Sequence, residues 1–260
     1  MKKTALITGA SSGIGLELAR VHASKGGNLV LVARSKEKLE NLKNELEQQY
    51  SSMVLVIPKD LSNPEAPQQV YDQLQKENIK IDYLFNNAGF GDYGFFYETN
   101  WEKEAQMIDL NVRTLTHFTK LFVKDMVSRK TGKIMNVAST ASFQPGPLMS
   151  VYYATKHYVL AFSEGIANEL KGTGVAVTAL CPGPTASGFQ DAAAMNDSKL
   201  VKGAKLPSAR EVAEYGYRSL EKGKVVAIHG FLNKLMAESS RFMPRNIVRS
   251  VVRKVQEKSK

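Results

Sequence analysis

Short β-branched and aliphatic runs alternate with longer segments of helical period along this 260-residue chain. Lys3 to Thr8, Asn28 to Ala33, Met53 to Ile57, Asp82 to Phe85, Gly132 to Ala138, Val175 to Leu180 and Val225 to Ile228 read as strands. Between them, Ile14 to Ser24, Lys36 to Gln49 and Pro64 to Glu77 carry apolar residues at helical spacing. Parallel neighbours need crossover connections, so the alternation predicts an α/β protein with a single doubly wound parallel sheet and helices on both faces. Ligands of such sheets bind beyond the carboxyl ends of the strands. No internal repeat or low-complexity linker divides the chain. Residues 1–230 read as one domain and 231–260 as a basic amphipathic extension of it.

Composition suits that fold. With 43% hydrophobic and 23% charged residues the chain is in the globular range and long enough for one sizeable core. Cys181 is the only cysteine, so no intramolecular disulfide forms and no cysteine-rich metal site is expected. No apolar run approaches the roughly 20 residues that span a bilayer. Lys2 and Lys3 resemble the start of a signal peptide, but the apolar stretch behind them soon enters a glycine-rich turn and reads as a first strand. These features predict a cytoplasmic protein.

Charge alters the picture in one place. The 35 Lys and Arg against 25 Asp and Glu give +10; residues 231–260 hold eight basic and two acidic residues, so +6 lies there and +4 on the rest. A basic excess suits nucleic acid, an anionic membrane or an anionic ligand. No nucleic-acid recognition motif accompanies it, so no nucleic-acid partner is expected.

After the first strand comes Thr8-Gly9-Ala10-Ser11-Ser12-Gly13-Ile14-Gly15, which leads into a helix. A tight turn approached by phosphates needs residues without Cβ, and the helix start behind it offers N–H groups and partial positive charge. The pattern predicts a diphosphate cradle at Gly9, Ser11, Ser12, Gly13, Ile14 and Gly15, although its G-x-x-x-G-x-G spacing departs from the commoner dinucleotide fingerprint.

Together with Asn86-Asn87-Ala88-Gly89, Asn111, Ser139, Tyr152-x-x-x-Lys156 and Pro182-Gly183, this turn resembles the short-chain dehydrogenase/reductase family, with the motifs in order from about Lys3 to Ile228. The resemblance implies a Rossmann-type fold and a nicotinamide cofactor touching Asn87, Ala88, Gly89, Tyr152, Lys156, Pro182, Gly183, Thr185 and Ser187. Thr185 and Ser187 stand where the family usually has Ile or Val and Thr, which leaves a backbone contact at Thr185 intact and the side-chain contact at Ser187 less secure. NADP(H) is expected over NAD(H), because the second strand ends in Ala33-Arg34. No acid is there to repel a 2′-phosphate, and the Arg34 fork suits one. The bland alternative makes Arg34 a solvated residue before a helix. Asp60, followed by Leu61, matches the family's adenine contact and is equally a turn or capping aspartate.

Tyr152 and Lys156, four residues apart on a predicted helix, project from one face about 40° apart. A phenol is a poor base at neutral pH, and an adjacent ammonium, aided by an oxidised nicotinamide, favours its phenolate. Tyr152 would then donate a proton to a carbonyl oxygen or take one from an alcohol. Tyr153 has the wrong spacing and reads as a packing residue. The resemblance assigns Ser139 to polarising the substrate carbonyl and Asn111 to distorting its helix and holding a water on the proton path. Cys181, with no neighbouring His or second Cys, reads as a packed thiol.

Three segments are expected around the reacting carbon: Phe90 to Tyr97, Phe143 to Met149, and Phe189 onward with Met195. An apolar carbonyl or alcohol suits so aromatic a lining, while packing of loops onto the sheet explains Phe90, Phe143 and Phe189 equally well. Ala192 to Lys205 has the small and polar residues of a lid. In the basic extension, Ile247, Val248, Val251, Val252 and Val255 form an apolar stripe flanked by Arg245, Arg249 and Arg253. Docking on its own protein or a partner subunit is favoured over peripheral membrane contact, since the stripe is rich in Val. A homodimer through the helices around Asn111 and Tyr152 is expected. The leading function is carbonyl reduction by hydride transfer with a Tyr/Lys/Ser/Asn relay. Alternatives are a 3-oxoacyl-thioester or hydroxysteroid reductase and, in another class, a non-catalytic NADP(H) sensor.

Overall fold

A computed structural model of the chain describes residues 2–189 and 206–257. Met195 and Ala192 to Lys205 therefore lie outside the described residues. Seven strands occur where the hydrophobic pattern places them: β1 Thr4–Thr8, β2 Asn28–Ala33, β3 Val54–Pro58, β4 Tyr83–Asn86, β5 Gly132–Val137, β6 Val175–Cys181 and β7 Val226–Ile228. They form one sheet in the order β3-β2-β1-β4-β5-β6-β7, and every pairing is parallel. Between β1 and β4 the direction of winding reverses, which opens a crevice at their carboxyl ends.

The two-residue period of the strands divides the core into two layers. Ala5 and Ile7 of β1 and Leu29 and Leu31 of β2 face one side, where they meet α1 (Gly13–Ser24), α2 (Lys36–Tyr50) and α7 (Ala209–Glu221). Leu6, Val30 and Val32 face the other, against α3 (Ala66–Lys76) and α5 (Leu115–Ser128). α6 (Ser150–Glu169) also lies on this second face, through Ile166 and Leu170. Burial on both faces is what a wholly parallel sheet requires.

Two departures from regular structure position the site. Between α4 (Trp101–Ile108) and α5 the helix widens into a π turn, Asp109–Thr114, centred on Asn111. After β5 a short 3-10 turn, Thr140–Phe143, is capped by Ser139, whose Oγ accepts from the Ala141 N–H at 3.1 Å. Beyond β7, α8 (Phe231–Ser239) and α9 (Arg245–Gln256) pack on the body. The α9 stripe is split: Val248 and Val252 are each 7% exposed against Met107, Met149 and Tyr153, while Ile247, Val251 and Val255 remain 41–49% exposed. Among the described residues no helix is long and apolar enough to cross a membrane.

Candidate active site

A cavity of about 520 Å³ opens at the carboxyl ends of the strands. At its floor, β1 and β4 are stitched by Thr8, whose Oγ1 accepts from the N–H groups of Asn87 and Ala88 at 2.9 and 3.0 Å. The Asn87 amide donates back to the Thr8 and Gly9 carbonyls at 3.0 and 3.2 Å. The turn between them is shaped by its glycines. Gly9 has φ +67°, which side chains rarely adopt, and a Cβ there would lie 2.9 Å from Ala88 Cα. A Cβ on Gly15 would collide with the Gly9 carbonyl and the Asn87 amide. Gly15 therefore packs beneath the turn, while Gly9, Ser11, Ser12, Gly13 and Ile14 line the cavity. Ser12, the N-cap of α1, makes no side-chain cap bond, and the first-turn N–H groups have no partner within their own helix. Free N–H groups and the positive end of the α1 dipole make this turn chemically suited to an anion.

Arg34 lies at one end of the cavity, with Ala33, Lys38 and Lys59 beside it. Asp60 and Leu61 line the same end. The Asp60 carboxylate accepts from the N–H and hydroxyl of Ser62 at 3.0 and 2.8 Å. Those bonds, with a smaller contribution from Arg34, hold its pKa below the ordinary aspartate value. Asp60 thus forms a turn and faces the cavity at once. Lys38 and Lys59 have no motif of their own; the signals for them are position alone, Lys38 four residues after Arg34 in the first turn of α2 and Lys59 between β3 and Asp60.

At the other end stand Ser139, Tyr152 and Lys156. Tyr152 and Lys156 are 8% and 5% exposed. Burial pushes the Tyr152 phenol well above its ordinary pKa, and the nearby Ser139 hydroxyl offsets part of the rise. Burial pulls Lys156 down to about 8. Its ammonium donates to the Val137 carbonyl at 2.7 Å and lies 5.8 Å from the Tyr152 ring centroid. In the protein without cofactor, desolvation is the largest influence on the Tyr152 phenol and acts against its phenolate.

Asn111 lies behind the cavity wall, 1% exposed. Its Oδ1 accepts from the Phe90 N–H at 3.2 Å, and its Nδ2 donates to the Phe90 carbonyl at 2.9 Å and to Thr155 Oγ1 at 3.1 Å. Gly89 makes room for it, since a Cβ there would lie 2.8 Å from Asn111 Oδ1 and 3.6 Å from Lys156 Nζ. Asn87, Ala88, Gly89 and Phe90 all border the cavity. The third wall is the segment after β6. Pro182, Gly183, Thr185 and Ser187 line it, and Ser187 approaches the glycine turn closely enough that a Cβ on Gly13 would sit 3.2 Å from Ser187 Cβ.

Phe189 lines the cavity beside Tyr152, its ring centroid 5.3 Å from that of Tyr152. Gly91 permits this approach, as a Cβ there would lie 2.9 Å from the Phe189 ring. Phe143 is a correction. It packs with Leu115, Leu160 and Ile228 away from the cavity, and its carbonyl accepts from Ser240 Oγ at 3.0 Å, because the 3-10 turn after Ser139 rotates it toward α8. Met149, from the same loop, takes the place at the cavity; Leu148 beside it holds φ +70°, a strained conformation for a leucine. Tyr153 also borders the cavity, but its hydroxyl accepts from Gln256 Nε2 of α9 and its ring packs with Val248 and Val252. Cys181 is fully buried, and that burial pushes its thiol up to about 12, as befits packing.

The model of the family described as short chain dehydrogenase matches residues 3–197. The chain belongs to this family. Among short-chain dehydrogenases, mouse 17-beta-hydroxysteroid dehydrogenase type 3 is 33% identical over 187 residues, 70% of this chain and 60% of that protein. The match thus spans three fifths of the length of this curated relative. A short-chain dehydrogenase from Sphingobium yanoikuyae, solved in complex with NADPH, superposes with a TM-score of 0.83 at 31% identity, covering 92% of this chain and 94% of that one. One from Burkholderia phymatum, in complex with NAD, gives 0.83 at 26% identity, covering 100% and 98%. The glycine cradle, the unbridged N-cap of α1 and the elongated cavity fit the nicotinamide dinucleotides of these two short-chain dehydrogenases.

Proposed function

We propose that the protein is an NADP(H)-dependent oxidoreductase that reduces an apolar ketone or aldehyde to the alcohol, and runs in reverse as an alcohol dehydrogenase. The observation that carries this reading is that one cavity is lined by Ser139, Tyr152 and Lys156 together with Arg34. Gly9, Ser11, Ser12, Gly13 and Ile14 would hold the diphosphate, Arg34 with Lys38 and Lys59 a 2′-phosphate, and Asp60 and Leu61 the adenine. Asn87, Ala88, Gly89, Pro182, Gly183, Thr185 and Ser187 would enclose the nicotinamide end. The bound cofactor supplies or accepts hydride at the substrate carbon.

The chain's own groups handle the proton. In reduction the Ser139 hydroxyl donates to the carbonyl oxygen and holds it beside Tyr152, whose O–H proton passes to that oxygen as the C–H bond forms. Lys156, buried behind Tyr152, would stabilise the phenolate with its ammonium and return a proton to it, and Asn111 fixes the Phe90 backbone and Thr155 around it. Phe90, Met149 and Phe189 give the substrate an apolar surface. A 3-oxoacyl thioester or a hydroxysteroid would use the same residues, and relatives named for each reaction are about equally similar to the chain. A non-catalytic sensor has no need of Ser139, Tyr152 and Lys156 assembled in one cavity.

The reading includes a cytoplasmic location, residues 231–260 as an extension of the catalytic domain, and a homodimer through the face of α4 to α6. There Ile108, Val112, Val151 and Ala154 line an open apolar groove. The test is oxidation of NADPH and of NADH over a panel of apolar ketones, acyl thioesters and steroids. Turnover of at least one class with NADPH above NADH is expected; no turnover of any class defeats the proposal.

A further inference from the structure

Nine of the seventeen large hydrophobic side chains that are exposed among the described residues belong to α8, α9 and the corner between them. The most exposed are on α8 and the corner. Phe231, Leu232, Leu235 and Met236 are 80, 70, 57 and 56% exposed, and Phe242 is 87% exposed. At 100° per residue the four α8 side chains span one broad face, and the buried Ala237 lies outside it. This helix therefore docks by a narrow edge and turns its apolar face outward. That face is distinct from the α9 stripe, whose Val248 and Val252 are consumed in packing on Met107 and Tyr153.

The surroundings of this face are basic. Lys234, Arg241, Arg245, Arg249 and Lys254 are all exposed. The two acidic residues nearby, Glu238 and Glu257, lie within 3.9 Å of Arg241 and 3.5 Å of Arg253. An apolar face rimmed by cations matches an anionic bilayer surface, which offers hydrocarbon to the first and lipid phosphates to the second. A second copy of the chain fits less well, because a two-fold contact sets this positive rim against itself. Nucleic acid meets cations but gains nothing from exposed Phe and Leu.

We infer that α8 and the Phe242 corner form a docking surface for an anionic membrane, with Phe231, Leu232, Leu235, Met236 and Phe242 entering the interface and Arg241, Arg245 and Arg249 meeting headgroups. The surface adjoins the site. Asn233 of α8 lies against Gly183, where a Cβ would meet its amide at 2.5 Å, and Gln256 of α9 bonds Tyr153. If the reductase reading holds, on which this consequence alone rests, an apolar substrate reaches the cavity from the bilayer.

The test is co-sedimentation of the full chain with vesicles of phosphatidylcholine alone and of phosphatidylcholine mixed with phosphatidylserine, without cofactor or substrate. The wild type is expected to pellet with the anionic vesicles. The paired variants Leu232→Glu with Leu235→Glu, and Arg245→Glu with Arg249→Glu, are expected to lose about tenfold in bound fraction at unchanged melting temperature, these side chains being exposed. Wild-type protein that stays in the supernatant with anionic vesicles overturns the inference. So does a Leu232→Glu, Leu235→Glu variant that binds undiminished, or whose solution mass falls from that of a larger oligomer, which would assign the surface to a second copy. Turnover enters none of these readouts, so failure here leaves the reductase reading standing, and its failure leaves vesicle binding standing.

Discussion

Lys156 and Val137 are joined by a hydrogen bond of 2.7 Å from the lysine ammonium to the backbone carbonyl at the end of β5. Through it, a cation is held in the protein interior, directly under the phenol one helical turn away. Burial lowers its pKa from 10.5 to about 8, so the folded state disfavours the charged form. Between pH 8 and 10.5 the unfolded chain keeps a proton that the folded chain has released, and the contribution of this residue to stability rises with pH across that window. Below it the penalty is complete, about 3 kcal/mol.

Lys156→Met should therefore stabilise the cofactor-free protein at neutral pH, by about 2 kcal/mol once the lost bond to Val137 is subtracted. Urea titrations of both forms between pH 7 and 10.5 check this. The difference should shrink with rising pH, whereas a variant less stable at pH 7 would show the ammonium to be well accommodated.

Arg34→Ala should weaken NADPH binding by about 1.5 to 3 kcal/mol, the range for hydrogen bonds to a charged group, and leave NADH binding nearly unchanged. Fluorescence titration separates the two. Equal losses for both cofactors would return Arg34 to the surface, where it is exposed.

Asn136 is fully buried and accepts from Asn86 Nδ2 at 2.9 Å while donating to Ser163 Oγ at 2.9 Å. Asn136→Ala should cost about 2 to 4 kcal/mol, because it removes two buried hydrogen bonds between β4, β5 and α6 and leaves Asn86 only Thr119, and Ser163 only the Val159 carbonyl. A denaturation midpoint unchanged within error would show that the network relaxes.

Gln256→Leu removes the donor to the buried Tyr153 hydroxyl and should raise the KM for the substrate several-fold with a smaller effect on kcat, since Tyr153 borders the cavity without facing the reacting atoms. Steady-state kinetics decide. A loss confined to kcat would contradict a positioning role.

How much of this was legible in the chain depended on whether the signal was local. The strands and the crevice between β1 and β4 follow from hydrophobic period, and the glycine turn follows from the absence of Cβ where backbones meet, as at Gly9 and Gly15. Asn111 was marked by its poor helix propensity, and the π turn it occupies is where its side chain bonds the Phe90 backbone in preference to its own helix. Phe143 was misplaced because the direction of a loop side chain is set by the 3-10 turn and by α8, neither of which has a local signature. Lys38, in the first turn of α2, and Lys59, after β3, border one cavity only when β2 and β3 pair. The outward face of α8 was hidden behind the stronger pattern of the α9 stripe in the same region, of which only Val248 and Val252 pack inward. The suppression of Lys156 and Tyr152 ionisation is a property of burial, which spacing along a helix does not convey.

The most direct measurement of the central claim is single-turnover reduction by the Tyr152→Phe protein. Removing one oxygen deletes the proton donor and leaves the ring packed against Phe189. The account predicts that NADPH binding is retained while the rate of NADPH oxidation with the best substrate falls by about a factor of 10³ or more. A rate equal to that of the wild type would contradict it.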